Sequence, residues 1–247
     1  MKHEISRVRH EIKRRTLTVR SIEHVTPNMA RILLEGADLD GFLSLSPDDH
    51  VKLFFPIPGS DEVEKRDYTP RRHDAAAGTL TLDFALHDPA GAGPATRWAL
   101  SAKVGDTLQM GGPKGSMVVP SDFDWWLLAG DETALPAIGR RLEEMAPGTR
   151  VTTLVAVTGP AEEQRFDTRA AHRSLWVHRP AAQADDPAPL LAALKQLRPD
   201  TGDGFIWAAA EAKVAAAIKH FFTTCWKHDP AWLQAKGYWT AGHSSED

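Results

Sequence analysis

The sequence has a single cysteine, Cys225, among its 247 residues. One thiol excludes an internal disulfide and a cysteine-rich metal site, and it fits a reducing compartment. The chain also lacks any run of 18 apolar residues, so no membrane-spanning helix is expected. Its first residues, MKHEISRVRHEIKRR, are densely charged, which argues against a secretory signal peptide. We therefore expect a cytoplasmic protein.

An excess of positive charge is lacking as well. The formal net charge is −4, so a general nucleic-acid binder is not indicated. The 11 histidines are scattered, no cluster of metal ligands is visible, and no protein-bound metal is expected. A hydrophobic content of 42% and a charged content of 25% are typical of a globular protein. The length suits one large domain or two of ordinary size.

The first half of the chain alternates short strand-like segments with turn signals. The predicted strands are TLTVRSIEHV, MARILLEG, HVKLFFPI, TLTLDFAL and DTLQMGG. Turn-forming stretches such as SPDD, PGSD and KVGD separate them. This pattern is typical of a small antiparallel barrel or sandwich. One predicted helix, GPATRWALSA, interrupts it over 93–102.

The second half changes to strand–helix alternation. The predicted strands are WWLLAG, RVTTLVAVTG, SLWVHRP and GFIWAAAE, and the predicted helices are LPAIGRRLEEMAPG, APLLAALKQLRP, EAKVAAAIKHFFTTCWK and the short DPAWLQAKG. Such alternation predicts a doubly wound, mainly parallel sheet, whose ligands lie beyond the carboxyl ends of the strands. We place the boundary within SDFD, which gives domains at 1–122 and 123–247.

Arginines surround a tyrosine and a threonine in the stretch RDYTPRRHD. Arg66 and Arg71 carry forked donors suited to a diphosphate, Tyr68 offers a flat face to an aromatic ring, and the Thr69 hydroxyl can donate and accept. In a strand, alternate residues point to opposite sides. A bend at Pro70 is therefore needed to bring all four side chains to one ligand. A surface strand with solvated arginines is the alternative.

Three further stretches combine glycines with polar residues. HDPAGAGPATRW (87–98) leads from the end of a strand through a glycine-rich turn into the start of a helix. Such a helix N-terminus either binds a phosphate or is an ordinary strand–loop–helix connection. GGPKGSM (111–117) is a tight turn that lets backbone approach a ligand, or a hairpin turn. LLAGDETALPAI (127–138) is where dinucleotides bind in such sheets, although it is not a GxGxxG fingerprint. Its acidic pair indicates contact with ribose or nicotinamide, or N-capping by Asp131.

Together and in this order, these stretches resemble the siderophore-interacting protein family, which are FAD-dependent ferric-siderophore reductases of the ferredoxin–NADP reductase superfamily. RDYTPR is similar to the family's Arg-x-Tyr-Thr-x-Arg motif, and DFALHDPAGAGPATRWA to its Asp-Phe-x-x-His segment. GPKGS, GDETALPAI and KGYWTAG are similar to its remaining signatures. The resemblance implies an N-terminal antiparallel FAD-binding β-barrel followed by a doubly wound, mainly parallel NAD(P)-binding domain.

The resemblance also implies roles for single residues. It implies a catalytic set in which Tyr68 packs on the isoalloxazine, Thr69 hydrogen-bonds near the flavin N5, and Glu211 lies near the nicotinamide. Thr133 is implied to face the flavin from the α/β domain. The full set of residues implied to bind cofactors is Arg66, Tyr68, Thr69, Arg71, Asp83, Phe84, His87, Gly93, Ala95, Thr96, Gly115, Ser116, Thr133 and Trp239.

The implied reaction has two halves. NADPH or NADH gives hydride to FAD, and single electrons then pass to the Fe(III) of a ferric siderophore, which releases Fe(II). A reduced ferredoxin stays open as the electron donor. Because the substrate is anionic, an electropositive pocket is expected. The candidate substrate-binding residues are Lys52, Arg72, Lys114, Lys213 and Lys236.

Other functions stay open from the sequence. One is a flavin reductase or electron-transfer reductase that serves a protein partner such as ferredoxin. Another is a siderophore-binding flavoprotein without turnover. In each case we expect a monomer that has neither a nucleic acid nor a membrane as its partner.

Overall fold

The computed structural model describes residues 3–57, 59–60, 62–87 and 93–242. Within these residues the chain divides into two compact units, of which unit 1 extends to Val119 and unit 2 begins at Pro120. Each unit has its own sheet and its own buried apolar core.

Unit 1 is built from short antiparallel strands and one described α-helix, α1 (Pro94–Ser101). The strands are β1 (Ser6–Arg9), β2 (Arg14–Thr26), β3 (Met29–Glu35), β4 (Val51–Pro56), β5 (Val63–Tyr68), β6 (Arg72–Asp74), β7 (Thr79–Ala85), β8 (Thr107–Gly111) and β9 (Gly115–Val118). Seven of them form a barrel-like sheet in the order β5-β4-β8-β2-β3-β7-β6, while β1 pairs with β9. The predicted antiparallel barrel is confirmed.

The core of unit 1 follows from alternation along its strands. In β7, Leu80, Leu82 and Phe84 point inward and are buried, whereas the residues between them face the other side of the sheet. α1 packs against this core through Ala95 and Ala99. The helix therefore packs one face, formed by residues four apart in sequence, against the sheet.

Unit 2 alternates strands and helices. Its strands are β10 (Trp125–Gly130), β11 (Arg150–Val157), β12 (Ala171–His178), β13 (Gly204–Glu211) and β14 (Leu233–Trp239), and its α-helices are α2 (Leu135–Glu144), α3 (Ala188–Leu194) and α4 (Ala212–Thr224). The sheet order is β12-β11-β10-β13-β14, and every pair in it is parallel. The predicted doubly wound sheet is confirmed.

The chain order reverses between β10 and β13, which lie side by side at the centre of the sheet. Both strands are buried along their whole length, as expected for a parallel sheet covered on both faces. In a doubly wound sheet, the crevice at the carboxyl ends of such a pair is where ligands bind. Here Gly130 ends β10 and Glu211 ends β13.

One predicted helix is wrong. DPAWLQAKG was expected to be a short helix, but it forms a single 3-10 turn (Pro230–Trp232) and then the start of β14. The edge of β13 provides hydrogen-bonding partners for residues from Leu233 onward, and this pairing overrides the local helical pattern.

Among the described residues, none of the helices is both long and apolar enough to cross a bilayer. Those residues also contain no grouping of three or more histidine, cysteine or acidic side chains that could hold a metal ion.

Candidate functional site

An aromatic surface is formed where β5 ends in unit 1. Tyr68 is the last residue of β5, and its ring centroid lies 4.4 Å from that of Phe84. Burial raises the pKa of the Tyr68 phenol, an effect that the nearby Arg66 charge opposes. The side chain is therefore a neutral aromatic group at any physiological pH. Thr69 follows it and is buried.

Phe84 packs against the Tyr68 ring from within the core of unit 1. Its ring lies between Tyr68 and Trp98, 5.6 Å from the latter, and protein atoms cover it completely. A fully covered ring has no surface left for a ligand. The structure thus places Phe84 under the predicted flavin platform rather than in contact with a cofactor.

The chain leaves the strand conformation between Tyr68 and Arg72, around Pro70. This is the position at which the sequence predicts a bend. Arg66 and Arg71 lie on either side of this bend. Arg66 bonds within β5, whereas Arg71 is held near β7 by its backbone N–H, which donates to the carbonyl of Thr81.

Two guanidinium groups meet at one carboxylate beside α1. Arg66 Nη2 lies 3.0 Å from Glu64 Oε2, and Arg97 Nη2 lies 3.9 Å from Glu64 Oε1. Arg66 also donates from Nη1 to the Lys65 carbonyl. A negative group therefore already occupies the space between an arginine of β5 and an arginine of the first turn of α1.

The N-terminus of α1 adds backbone donors. Gly93 is the N-cap residue and has no side chain with which to cap, and Pro94 follows it at N1. The first N–H groups of a helix have no intrahelical acceptor, and here they belong to Ala95 and Thr96, both buried. His87 is exposed after the end of β7, and the predicted stretch between it and Gly93 lies outside the described residues.

The predicted cofactor residue Asp83 has a structural role here. Both of its carboxylate oxygens accept hydrogen bonds from Arg31, each at 2.7 Å. The Nε of the buried Arg71 lies 3.7 Å from the same carboxylate. The ion pair between Arg71 and Asp83 therefore fixes the loop after Tyr68 to β7.

Gly115 and Ser116 are also explained by packing. A Cβ on Gly115 would lie 2.5 Å from the Val8 carbonyl oxygen, so this glycine lets β1 pair with β9. The Ser116 hydroxyl donates to Asp49 at 2.6 Å and lies within bonding distance of His10 Nε2 and the Leu45 N–H. These partners occupy the hydroxyl, and no pattern in the sequence pointed to Asp49 or His10 as its partners.

In unit 2 a buried carboxylate connects three strand ends. Asp131 Oδ1 accepts from the N–H and the hydroxyl of Thr133, and this N-capping was one of the predicted alternatives. Its Oδ2 accepts from the Glu211 N–H at 3.0 Å and from the Trp239 indole at 2.9 Å. The structure thus brings together three predicted residues, Thr133, Glu211 and Trp239, at the carboxyl edge of the sheet.

Glu211 has a different role from the catalytic one predicted. Its side chain is completely buried and caps α4, with Oε2 accepting from the N–H groups of Lys213 and Val214. Its Oε1 accepts from the Ala241 N–H at 3.2 Å. The carboxylate therefore positions α4 and the chain after β14, and offers no exposed oxygen to a nicotinamide.

Glu132 and Arg179 form an ion pair at the same edge. Arg179 Nη2 lies 2.7 Å from Glu132 Oε2, and the Arg179 side chain is buried after the end of β12. Burial raises the pKa of Glu132, the neighbouring Asp131 raises it further, and Arg179 opposes both. Glu132 belongs to the acidic pair that indicated contact with ribose or nicotinamide. Arg179 was not predicted, since an arginine after SLWVH shows no pattern in sequence alone.

The five predicted substrate-binding residues lie on separate elements. Lys52 is in β4 and pairs with Asp67 at 3.4 Å. Lys213 is in α4 and pairs with Asp185 at 3.6 Å. The other three are Arg72 in β6, Lys114 before β9 and Lys236 in β14.

Comparison with known proteins identifies the family. The family model described as siderophore-interacting protein matches residues 123–242, and the siderophore-interacting FAD-binding domain matches 18–65 and 57–117. An NADPH-dependent ferric-chelate reductase of Escherichia coli is 35% identical, with 95% of this chain and 96% of the relative covered. The chain belongs to the siderophore-interacting protein family.

Two other known proteins are similar over nearly the full chain. The ferric vibriobactin reductase ViuB of Vibrio cholerae is 28% identical, with 91% of this chain and 88% of the relative covered. The crystal structure of a siderophore utilization protein from T. fusca has a TM-score of 0.91 and 36% identity, and 99% of each chain is covered.

The side chains of unit 1 fit the FAD that this family's domain description names. A dinucleotide needs donors for a diphosphate and a flat surface for its ring system. Arg66 and Arg97 carry the forked donors that a diphosphate needs, and in this structure both pair with the Glu64 carboxylate. The open start of α1 and the Tyr68 ring supply the remaining requirements. Arg97 belongs to this donor set, and its place directly after GPAT in a helix start was the signal that could have indicated it.

Proposed function

We propose that this protein is an FAD-dependent reductase that takes electrons from NADPH and reduces the Fe(III) of a ferric siderophore, releasing Fe(II). In this proposal, residues 1–122 hold the flavin and residues 123–247 hold the nicotinamide nucleotide. The observation that carries it is the meeting of Arg66, Arg97 and the open start of α1 in the unit that also presents Tyr68. The likeness to the ferric-chelate reductase supports the same assignment.

The residues of unit 1 have distinct proposed tasks. Arg66, Arg97 and the N–H groups of Ala95 and Thr96 bind the diphosphate, since arginine forks and helix N-termini both favour phosphate oxygens. The neutral Tyr68 ring would pack against the isoalloxazine, and the Thr69 hydroxyl would supply a hydrogen bond to it.

In unit 2 the nicotinamide nucleotide binds at the carboxyl ends of β10 and β13, where such sheets take dinucleotides. Thr133 is the half-buried polar side chain proposed to contact it, and Asp131 fixes Thr133 through two hydrogen bonds. Glu211 and Trp239 act as positioning residues, because both are tied to Asp131.

The chemistry follows from the cofactor once these groups hold it. When bound, FAD accepts two electrons as a hydride and passes them on singly to Fe(III). Chelators with oxygen ligands bind Fe(III) more tightly than Fe(II), so reduction weakens the binding of the iron. Lys52, Arg72, Lys114, Lys213 and Lys236 remain the proposed contacts to the anionic chelate, and we propose that the protein acts as a monomer in the cytoplasm.

An anaerobic two-step titration tests this function. The protein is purified, loaded with FAD, and mixed with NADPH while the visible absorption band of the oxidised flavin is followed. We expect the band to bleach, and to recover when a ferric siderophore is added. A matched titration with NADH measures the donor preference.

Three results would contradict the assignment in different ways. A protein that binds no FAD would refute the flavin site. Bound flavin that is bleached by reduced ferredoxin but by neither nicotinamide would refute the donor. Reduced flavin that is reoxidised by a protein carrier far faster than by ferric chelates would refute the substrate.

A further inference from the structure

Three carboxylates and one guanidinium group lie together at the carboxyl edge of the unit 2 sheet. Asp131 and Glu132 follow β10, Glu211 ends β13, and Arg179 follows β12. Asp131 bonds the backbone of Glu211, and Glu132 bonds Arg179. We call these four side chains the edge cluster. Because its acids outnumber its single arginine, the formal charge of the edge cluster is negative.

Two of the three carboxylates are already surrounded by hydrogen-bond donors. Asp131 and Glu211 are buried, with 1% and 0% of the residue exposed, and each accepts hydrogen bonds on both of its oxygens. The donors are the N–H groups of Thr133, Glu211, Lys213, Val214 and Ala241, the Thr133 hydroxyl and the Trp239 indole. A proton added to either carboxylate would compete with donors that are in place.

Glu132 is the accessible acid of the edge cluster. Its side chain is 21% exposed, and Arg179 Nη2 lies 2.7 Å from its Oε2. Burial raises the pKa of Glu132, the charge of Asp131 raises it further, and Arg179 opposes both. Of the three acids, Glu132 is therefore the one that a proton can reach and occupy.

The elements packed around Glu132 bring few other charges to this edge. β10 carries none, β11 carries only Arg150 at its start, and α2 carries its charges from Arg140 onward, beyond its first turn. Arg150 and Arg140 therefore lie away from the carboxyl edge. The titratable and charged groups at the strand ends themselves are Asp131, Glu162, Glu163, His178, Arg179, Glu211 and Lys213.

Arg179 has a donor that Glu132 does not use. The Arg179 side chain is 3% exposed, and its Nη1 has no hydrogen-bond partner among the described residues. A buried donor without an acceptor is costly, so a ligand oxygen is favoured beside it. Such an oxygen would share the guanidinium group with the Glu132 carboxylate.

A nicotinamide nucleotide adds negative charge next to Glu132. Phosphates are attracted to the starts of helices, and α2 begins at Leu135, directly after the turn that holds Glu132. Charges interact strongly where water is excluded. The phosphates therefore disfavour the charged form of Glu132, because they repel it and because they compete with it for Arg179.

We propose that binding of the nicotinamide nucleotide is coupled to the uptake of a proton by Glu132. In the nucleotide-free protein, Glu132 is a carboxylate paired with Arg179. When the nucleotide binds, the carboxylate takes a proton from the solvent and becomes a neutral acid, and Arg179 bonds a phosphate oxygen. Because a proton is taken up, the nucleotide binds more tightly at lower pH. The coupling depends on the proposed function, since it requires a nucleotide at this edge.

Calorimetry on the FAD-loaded full chain measures the proton directly. NADP⁺, which cannot reduce the flavin, is titrated at one pH in buffers that differ in their enthalpy of ionisation. The difference between the heats gives the number of protons taken up for each nucleotide bound. We expect a net uptake. We also expect the Kd of NADP⁺ to decrease from about pH 8 to about pH 6, by at most about tenfold for each pH unit, which is the limit for one linked proton.

Variants separate Glu132 from other sources of the proton, among them the 2′-phosphate of NADP⁺, which itself titrates near about pH 6. Glu132→Gln keeps an acceptor for Arg179 but cannot take up a proton. We expect it to lower the uptake, to flatten the pH dependence of Kd, and to bind NADP⁺ more tightly than the unchanged protein at about pH 8. Glu144→Gln removes another arginine-paired glutamate of unit 2 and should behave like the unchanged protein. His178→Gln, at the end of β12, should do the same.

Three outcomes would overturn the coupling while leaving the nucleotide site in place. These are saturable binding of NADP⁺ without proton uptake, equal uptake by Glu132→Gln and Glu144→Gln, and loss of the uptake in His178→Gln instead. A protein that does not bind NADP⁺ would overturn both the coupling and the nucleotide site. If Glu132→Gln does not fold, the double variant Glu132→Gln/Arg179→Gln replaces it, because removing both charges of a buried pair is tolerated better than leaving one.

Discussion

Among single residues, Glu64 decides how strongly unit 1 can hold an anionic cofactor. Its carboxylate lies between Arg66 and Arg97, where a diphosphate would need the same donors. A negative side chain at that position competes with the phosphates and repels them. In the proposed flavin site, Glu64 therefore limits the affinity for FAD.

We expect Glu64→Gln to bind FAD several-fold more tightly than the unchanged protein. The neutral amide frees both guanidinium groups from a charged partner, and it removes a like charge from beside the phosphates. Titration of the apo-protein with FAD, followed by flavin fluorescence, measures the change. Glu62→Gln removes the same charge from an exposed position nearby and should have little effect. A weaker affinity in Glu64→Gln would show instead that Glu64 orients Arg66 for the ligand.

Asp83 is a second residue for which a structural role can be tested against cofactor binding. It is buried and bound by Arg31 and Arg71. Removing one partner of a buried ion pair leaves an uncompensated charge. We expect Asp83→Asn to lower the free energy of unfolding by about 3 kcal/mol, measured by urea denaturation of the apo-protein.

The exposed pair of Asp67 with Lys52 provides the control for this measurement. Asp67→Asn should change the free energy of unfolding by less than about 0.5 kcal/mol, since exposed pairs contribute little. If Asp83→Asn kept the stability of the unchanged protein and lost only FAD, Asp83 would be a flavin ligand as the sequence predicted.

Among the elements, regular periodicity was the most reliable guide. β10 and β13 are continuous apolar runs and α2 and α4 are strongly patterned, so all four could be located from sequence. β14 could not, because its strand conformation depends on pairing with β13, far away in the chain. Local preference for a helix in DPAWLQAKG was outweighed by that pairing.

The candidate site was predictable in its motifs but not in its partners. Arginine, tyrosine and glycine patterns indicated Tyr68 and the start of α1. The partners of these residues could not be predicted, because ion pairs such as that of Arg71 with Asp83 join positions that only the fold brings together. Glu211 shows the same limit, because the sequence does not distinguish a buried glutamate that caps α4 from a catalytic glutamate.

Strand β12 gives unit 2 a pH-dependent contact. His172 Nε2 lies 2.9 Å from the Thr153 hydroxyl of β11, and burial lowers the pKa of this histidine from its ordinary 6.5. The folded state therefore disfavours the charged imidazole. As the pH falls below 6.5, the unfolded chain takes up a proton before the folded one does, and stability falls.

We expect the free energy of unfolding to decrease as the pH is lowered from about 7.5 to about 5.5. His172→Gln should make this decrease smaller, because glutamine does not titrate. His220→Gln, at an exposed position in α4, is the matched control. Equal slopes in the two variants would show that His172 does not contribute to the pH dependence.

In the whole molecule, two units of different architecture are proposed to bind two different dinucleotides. A ligand that binds only the native state stabilises it by about 2.7 kcal/mol at one hundred times its Kd. That stabilisation is seen first in the amides of the elements that contact the ligand. Hydrogen exchange can therefore assign each cofactor to its own unit.

We expect FAD to slow exchange mainly in unit 1, at 66–69 and 95–97, where Tyr68 and the start of α1 lie. NADP⁺, which cannot reduce the flavin, should slow exchange in unit 2 at 130–134 and 211–213, which are the carboxyl ends of β10 and β13 and the start of α4. At saturation the slowing should reach about one hundredfold for amides that exchange by local opening. Inorganic phosphate at the same ionic strength controls for unspecific anion effects. Protection by NADP⁺ confined to the barrel strands would refute the nucleotide site at the carboxyl edge, because no contact there could then be forming.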